Sequence, residues 1–121
     1  MSFDDYEKIL KFAASRHLTI VAVDFDGTLN EDIGFPRIGP PKWKTIEYCL
    51  DAKKKGWKLI LWTCRSDGNL EEAIDWCKDH GLEFDAINDN LKELTEEFGN
   101  NSRKVFANYY LDDKALNVND L

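Results

Sequence analysis

Two aspartates set two residues apart, Asp24 and Asp26, follow the apolar run Ile20-Val21-Ala22-Val23. A buried strand over 18–24 delivers them to its carboxyl end, and the two-residue period of a strand sends both side chains from one face. Gly27 lets the backbone turn sharply, and Thr28 supplies a hydroxyl for the local hydrogen bonds of the turn. Two like charges held this close are costly unless a cation sits between them or one keeps a proton. The pattern suits a Mg²⁺-assisted carboxylate nucleophile with an acid–base group beside it.

The elements that must position such a site follow from periodicity and stop signals. Residues 3–15 read as an amphipathic helix with Tyr6, Ile9, Leu10 and Ala13 on its apolar face. A loop over 27–40 holds the flap residues Phe35, Pro36, Arg37 and Ile38. Pro41 suits the first position of a helix running to Lys55, which buries Trp43, Ile46, Cys49 and Leu50 and stops at Gly56. A strand over 57–62 precedes a helix opened by the Asn69/Glu72 capping box and closed after His80 by Gly81. A short strand over 84–88, a helix capped by Asn90 with Glu93 and ending near Gly99, a strand over 105–111 and a short C-terminal helix or coil complete the chain. His17 and His80, near helix ends, complement the dipole. Strands alternating with helices at this spacing predict parallel β-α-β units, hence a three-layer α/β/α doubly wound sheet. The 121 residues make one domain, with 1–17 as an N-terminal helix packed on its core.

Composition narrows the partners. Sixteen basic against twenty-three acidic residues give a net charge of -7, which argues against broad contact with nucleic acid or anionic membranes. A phosphate substrate would then need the site itself to supply the positive potential, from a divalent metal and one or two local cations. No run is long enough to span a membrane, and the polar start Met1-Ser2-Phe3-Asp4-Asp5 is unlike a signal peptide. Cys49, Cys64 and Cys77, an odd set without CxxC spacing, read as reduced thiols of a cytoplasmic protein.

In an open parallel sheet, ligands bind beyond the carboxyl ends of the strands, near the point where strand order reverses. Every expected strand here ends in polar groups: Asp24 and Asp26, then Thr63-Cys64-Arg65, then Asn88-Asp89-Asn90, then Asp112-Asp113.

The succession DFDGTL (24–29), ILWTCR (60–65), FDAIND (84–89) and YYLDDKA (109–115) resembles the haloacid dehalogenase (HAD) superfamily of phosphohydrolases, and most of all its compact members without a cap domain. The resemblance runs from about Thr19 to Ala115. It implies that Asp24 is the nucleophile that becomes an aspartyl-phosphate, and that Asp26 is the general acid and base. It also implies Mg²⁺ bound by the Asp24 carboxylate, the Asp26 carbonyl and Asp113, with Asp112 orienting a metal-bound water. Thr63 would hydrogen-bond the transferring phosphoryl group, with Gly27, Thr28, Cys64, Arg65 and Asn88 around the substrate. The family's lysine corresponds to Lys104. At roughly 3.3 Å per residue, a strand starting at once would put Lys104 at the wrong end of the sheet, so Lys92 stays open as the cation.

Other classes fit less well. An EF-hand needs glycine sixth in the loop and a bidentate glutamate where Phe35 stands. A cysteine phosphatase at Cys64 lacks its arginine, since Leu70 holds that place. A response-regulator receiver shares the size and the residue types, but its acidic pair comes early and its acceptor mid-chain. A non-catalytic HAD-like phosphate-binding module is the remaining alternative. The expected substrate is a phosphorylated small molecule, a sugar phosphate or nucleotide by family analogy, in an open site that a neighbouring subunit of a homo-oligomer could enclose.

Overall fold

The computed structural model describes residues 3–121, with side chains from Tyr6 onward; Met1 and Ser2 lie outside the described residues. In chain order the elements are α1 (Phe3–Ser15), β1 (Ile20–Val23), α2 (Trp43–Lys54), β2 (Lys58–Leu61), α3 (Asp67–Asp79), β3 (Ala86–Ile87), α4 (Lys92–Phe98) and β4 (Tyr109–Leu111), followed by a 3₁₀ turn over Val118–Asp120. The four strands form one parallel sheet in the order β3-β2-β1-β4. β1 is therefore where the order reverses, with β2 on one side and β4 on the other. This is an α/β protein with a Rossmann-like sheet, and none of its described helices is long and apolar enough to cross a membrane.

Strand alternation explains how the sheet is covered. Val21, Val23, Leu59 and Leu61 face a cluster with Ile46, Cys49 and Ala52 of α2 and Ala73 and Cys77 of α3. Ile20, Ala22 and Ile60 point the other way, to Ile9 and Ala13 of α1 and Leu94 of α4. Both central strands are thus apolar on both faces, as strands of a parallel sheet must be. Each fully buried Ile or Leu contributes about 1.5–3 kcal/mol. Cys49, Cys64 and Cys77 are all free, and burial pushes the Cys49 and Cys77 thiols up to about 12. Those two are inert core residues.

Several boundaries differ from the sequence reading, each for a local reason. α2 starts at Trp43 rather than Pro41, because Pro41 is bridged to Asn30 and the Lys42 N–H donates to the Leu29 carbonyl. That tether keeps the chain extended for two residues more. α3 starts two residues before Asn69, after Ser66, and the cap makes no side-chain hydrogen bond. Asn90 does not cap α4 either; Leu91 holds that position. The Asn90 amide is buried instead, donating to Asn101 Oδ1 (3.0 Å) and to the Ser102 carbonyl (3.2 Å), and accepting from the Phe106 N–H (2.6 Å). It ties the chain returning from α4 to the end of β3.

β4 begins only at Tyr109. Just before it the Asn108 side chain accepts the Ile20 N–H, while Val105, Phe106 and Ala107 are buried against α1 and α4. Tyr6, Leu10 and Trp43, expected on packed faces, are substantially exposed. Tyr6 meets the Phe106 ring edge-on at 6.2 Å.

Candidate functional site

The sheet brings the ends of β1 and β4 side by side. The Asp24 N–H donates to the Leu111 carbonyl at 2.9 Å, so the residues that leave these strands are neighbours although 88 positions apart. Asp24, Asp112 and Asp113 each present a carboxylate oxygen within 4.8 Å of the others. Thr28 clasps the two ends. Its hydroxyl donates to Asp24 Oδ2 (3.0 Å) and accepts from the Asp113 N–H (3.0 Å). The buried Thr28 thus holds the two ends together.

Gly27 is required twice. Its φ of +84° is a left-handed conformation, and a Cβ there would stand 2.3 Å from Asp113 Oδ2. Absence of that carbon is what lets Asp113 close on Asp24.

Electrostatics follow from the packing. Burial is the main cause that pushes Asp24 up to about 6; the charges of Asp112 and Asp113 add to it, and the Thr28 hydrogen bond works against it. Slight desolvation opposes ionisation of Asp113, but the Lys114 ammonium, 3.0 Å from its Oδ2, outweighs this and holds the carboxyl below the usual range. Lys114 directly follows the aspartate pair, and that adjacency was a signal the sequence offered. Lys42, whose ammonium donates to the Gly27 carbonyl at 2.6 Å, had no such signal, because its approach depends on how the 27–40 loop closes.

Asp24 and Asp26 do not form the like-charge pair expected of them. β1 ends at Val23, so strand alternation does not continue through the motif. Asp24 turns to Asp112 and Asp113. Asp26 turns to Arg65, whose Nε and one terminal nitrogen donate to its two oxygens at 2.8 and 2.7 Å. The Arg65 side chain is 1% exposed. It also donates to the carbonyls of Pro36 (3.1 Å) and Asn69 (3.4 Å). A guanidinium so engaged is buried and fixed on Asp26 and two main-chain carbonyls.

At the end of β2, Asn88 Oδ1 accepts the Thr63 N–H at 2.8 Å, and the Thr63 hydroxyl oxygen accepts the Arg65 N–H at 3.1 Å. The hydroxyl hydrogen of Thr63 remains to be donated. Asn88 thus braces Thr63 through its side-chain oxygen. Its φ of 54° is one that asparagine tolerates. Cys64 is exposed on the same rim.

Among the described residues no ion pair joins Lys104 or Lys92 to the site aspartates. Lys104 lies well before the short β4, its ammonium 5.4 Å from the Tyr110 ring centroid, and Lys92 pairs with Glu96 at 3.6 Å. The cation that reaches the cluster is Lys114.

Three carboxylates are the hard oxygen donors that magnesium takes, and the open cradle at Gly27 leaves them free to converge. The donor set fits such an ion.

Fold and site together define an α/β protein with a Rossmann-like parallel sheet and an acidic cluster at its strand-order reversal. A conserved protein coded by a locus from Bacteroides thetaiotaomicron has a solved structure similar to this one, at 39% identity and a TM-score of 0.72 over 82% of this chain and 78% of that one. This chain belongs to the family of that conserved protein. No protein-family model and no curated protein matches it.

Proposed function

We propose that this chain is a Mg²⁺-dependent phosphohydrolase of the compact, capless HAD type, with its sheet and helices as the three-layer doubly wound core. The observation that carries the reading is the convergence of Asp24, Asp112 and Asp113 from two strand ends at the point of order reversal. Asp24, Asp113 and the Asp26 carbonyl would hold magnesium, which when bound neutralises charge on the carboxylates and the phosphoryl oxygens.

In the first step an Asp24 oxygen attacks phosphorus, the bond from phosphorus to the leaving oxygen breaks, and Asp26 gives that oxygen its proton. In the second, a water oxygen attacks the aspartyl-phosphate, passes a proton to the Asp26 carboxylate, and the bond to Asp24 breaks. Thr63 donates its hydroxyl hydrogen to the phosphoryl group. The flap is too small to be a cap, so the site is open, and a phosphorylated small molecule such as a sugar phosphate or nucleotide is the substrate class proposed.

A panel of phosphomonoesters with Mg²⁺ or with EDTA, on wild type and Asp24→Asn, tests this. Turnover that needs the metal and vanishes in the variant is expected. Equal turnover by Asp24→Asn removes Asp24 as nucleophile. One observation favours a second reading, a non-catalytic phosphate-binding module: both Asp26 oxygens are already taken by Arg65. Phosphate binding without turnover in the same panel would establish it.

A further inference from the structure

The segment between Asn30 and Pro41 is a loop with a closed neck. The Glu31 N–H donates to the Pro40 carbonyl at 2.9 Å and the Gly39 N–H to Asn30 Oδ1 at 3.3 Å. Gly39 packs so tightly on Glu31 that a Cβ would lie 1.9 Å from its carbonyl oxygen. Beyond the neck the tip is bonded to itself: the Gly34 N–H to Asp32 Oδ1, the Arg37 N–H to the Gly34 carbonyl, and the Arg37 guanidinium to the Ile33 carbonyl. These bonds hold the tip's shape from within.

Among the described residues, a single hydrogen bond joins residues 32–37 to the rest of the fold, from Arg65 to the Pro36 carbonyl. The same guanidinium lies between two rings, 5.1 Å from the centroid of buried Phe25 and 5.1 Å from that of Phe35, which is 63% exposed. Both distances are within cation–π range.

We infer that Arg65 is a positioning residue that couples the orientation of the Asp26 carboxylate to the position of the 33–37 flap. One planar group serves both. Its fork fixes the two Asp26 oxygens in a plane, and its face and remaining N–H hold Phe35 and Pro36. An Asp26 oxygen can carry the proton that it takes from the hydrolytic water and gives to the next leaving group only by letting go of one guanidinium N–H, and the guanidinium can swing only if the flap yields. A substrate that displaces Phe35 thereby frees the acid; a flap at rest keeps it engaged. The functional half of this inference rests on the phosphohydrolase reading, and the mechanical half does not.

The test has two arms. In the first, trypsin cleavage of the Arg37–Ile38 bond is followed by mass spectrometry. Asp26→Asn touches no flap residue and keeps its shape, yet weakens the grip on Arg65, so cleavage at least fivefold faster than in wild type is expected; Phe35→Ala gives a similar gain. A rate for Asp26→Asn within twofold of wild type overturns the coupling. In the second arm, kcat/KM, which covers only the steps through loss of the leaving group, is measured with Mg²⁺ on p-nitrophenyl phosphate, whose leaving group needs no proton, and on phenyl phosphate, whose leaving group does. Arg65→Lys keeps the charge but loses the fork, and should lower kcat/KM on phenyl phosphate at least tenfold and on the nitrophenyl ester less than threefold. Equal loss on both esters shows that Arg65 only holds the fold and overturns its positioning role. Wild type that turns over neither ester overturns the phosphohydrolase reading alone, and the cleavage arm then decides the coupling.

Discussion

Replacing the central carboxylate should make the metal-free protein more stable. In the folded chain Asp24 holds its proton up to about pH 6, whereas the unfolded chain releases it near 3.8. Between those values folding takes up a proton, so stability falls as pH rises through the window and stays low above it. The full interval corresponds to about 3 kcal/mol at 1.36 kcal/mol per pH unit. Asp24 is only half-buried, and solvent screening reduces the figure to about 1 kcal/mol. Asp24→Asn removes the charge, keeps the shape and still accepts from Thr28. In EDTA at pH 7.5 it should melt about 3–5 °C above wild type. The gap should close as the pH is lowered to 4. Saturating Mg²⁺ should reverse the order, since a ligand at a hundredfold excess over Kd adds about 2.7 kcal/mol to the form that binds it. Thermal melts of both proteins across pH 4–8, with and without the metal, make the measurement. An Asp24→Asn protein that melts below wild type in EDTA, or a gap independent of pH, refutes the electrostatic account of the cluster.

Gly27→Ala should push Asp113 out of the cluster and strain a left-handed backbone, costing about 1–3 kcal/mol; isothermal titration should show weakened Mg²⁺ binding. Thr28→Val leaves the Asp113 N–H without its acceptor and unclasps the two strand ends, with a loss of about 1–3 kcal/mol in denaturant melts. Asn90→Leu removes three side-chain hydrogen bonds in a buried setting and should cost about 2–4 kcal/mol. Hydrogen exchange should then show 100–106 opening before the sheet does.

The parallel sheet was legible because β1 and β2 are apolar on both faces and are separated by lengths that only crossovers satisfy. The polar strand ends were legible for the same reason: Asp24, Thr63, Asn88 and Asp112 each stand directly after an apolar run. What local pattern concealed was how these groups divide. The Asp24/Asp26 spacing suggested one shared face, but the strand stops at Val23 and the two carboxylates part, one to Asp112 and Asp113 and one to Arg65. The Asn69 and Asn90 boxes had the right spacing for caps, yet Asn69 lies inside its helix and Asn90 serves the returning chain. Tertiary contacts decided both. Lys104 illustrates the limit of counting along a strand, since 105–107 are buried irregular backbone and β4 itself is three residues long.

The clasp between Thr28 and the Asp113 N–H joins positions 85 apart, so its formation waits on the docking of β4 against β1. Loop closure of that length is slow compared with the helix and β1–β2 contacts that precede it. A chain still emerging from the ribosome has the Asp24 half of the cluster but cannot assemble the other half. Assembly of the Asp24, Asp112 and Asp113 cluster therefore reports that β4 has docked, and protection from hydrogen exchange of the Asp24 N–H, which donates to the Leu111 carbonyl, would time that step.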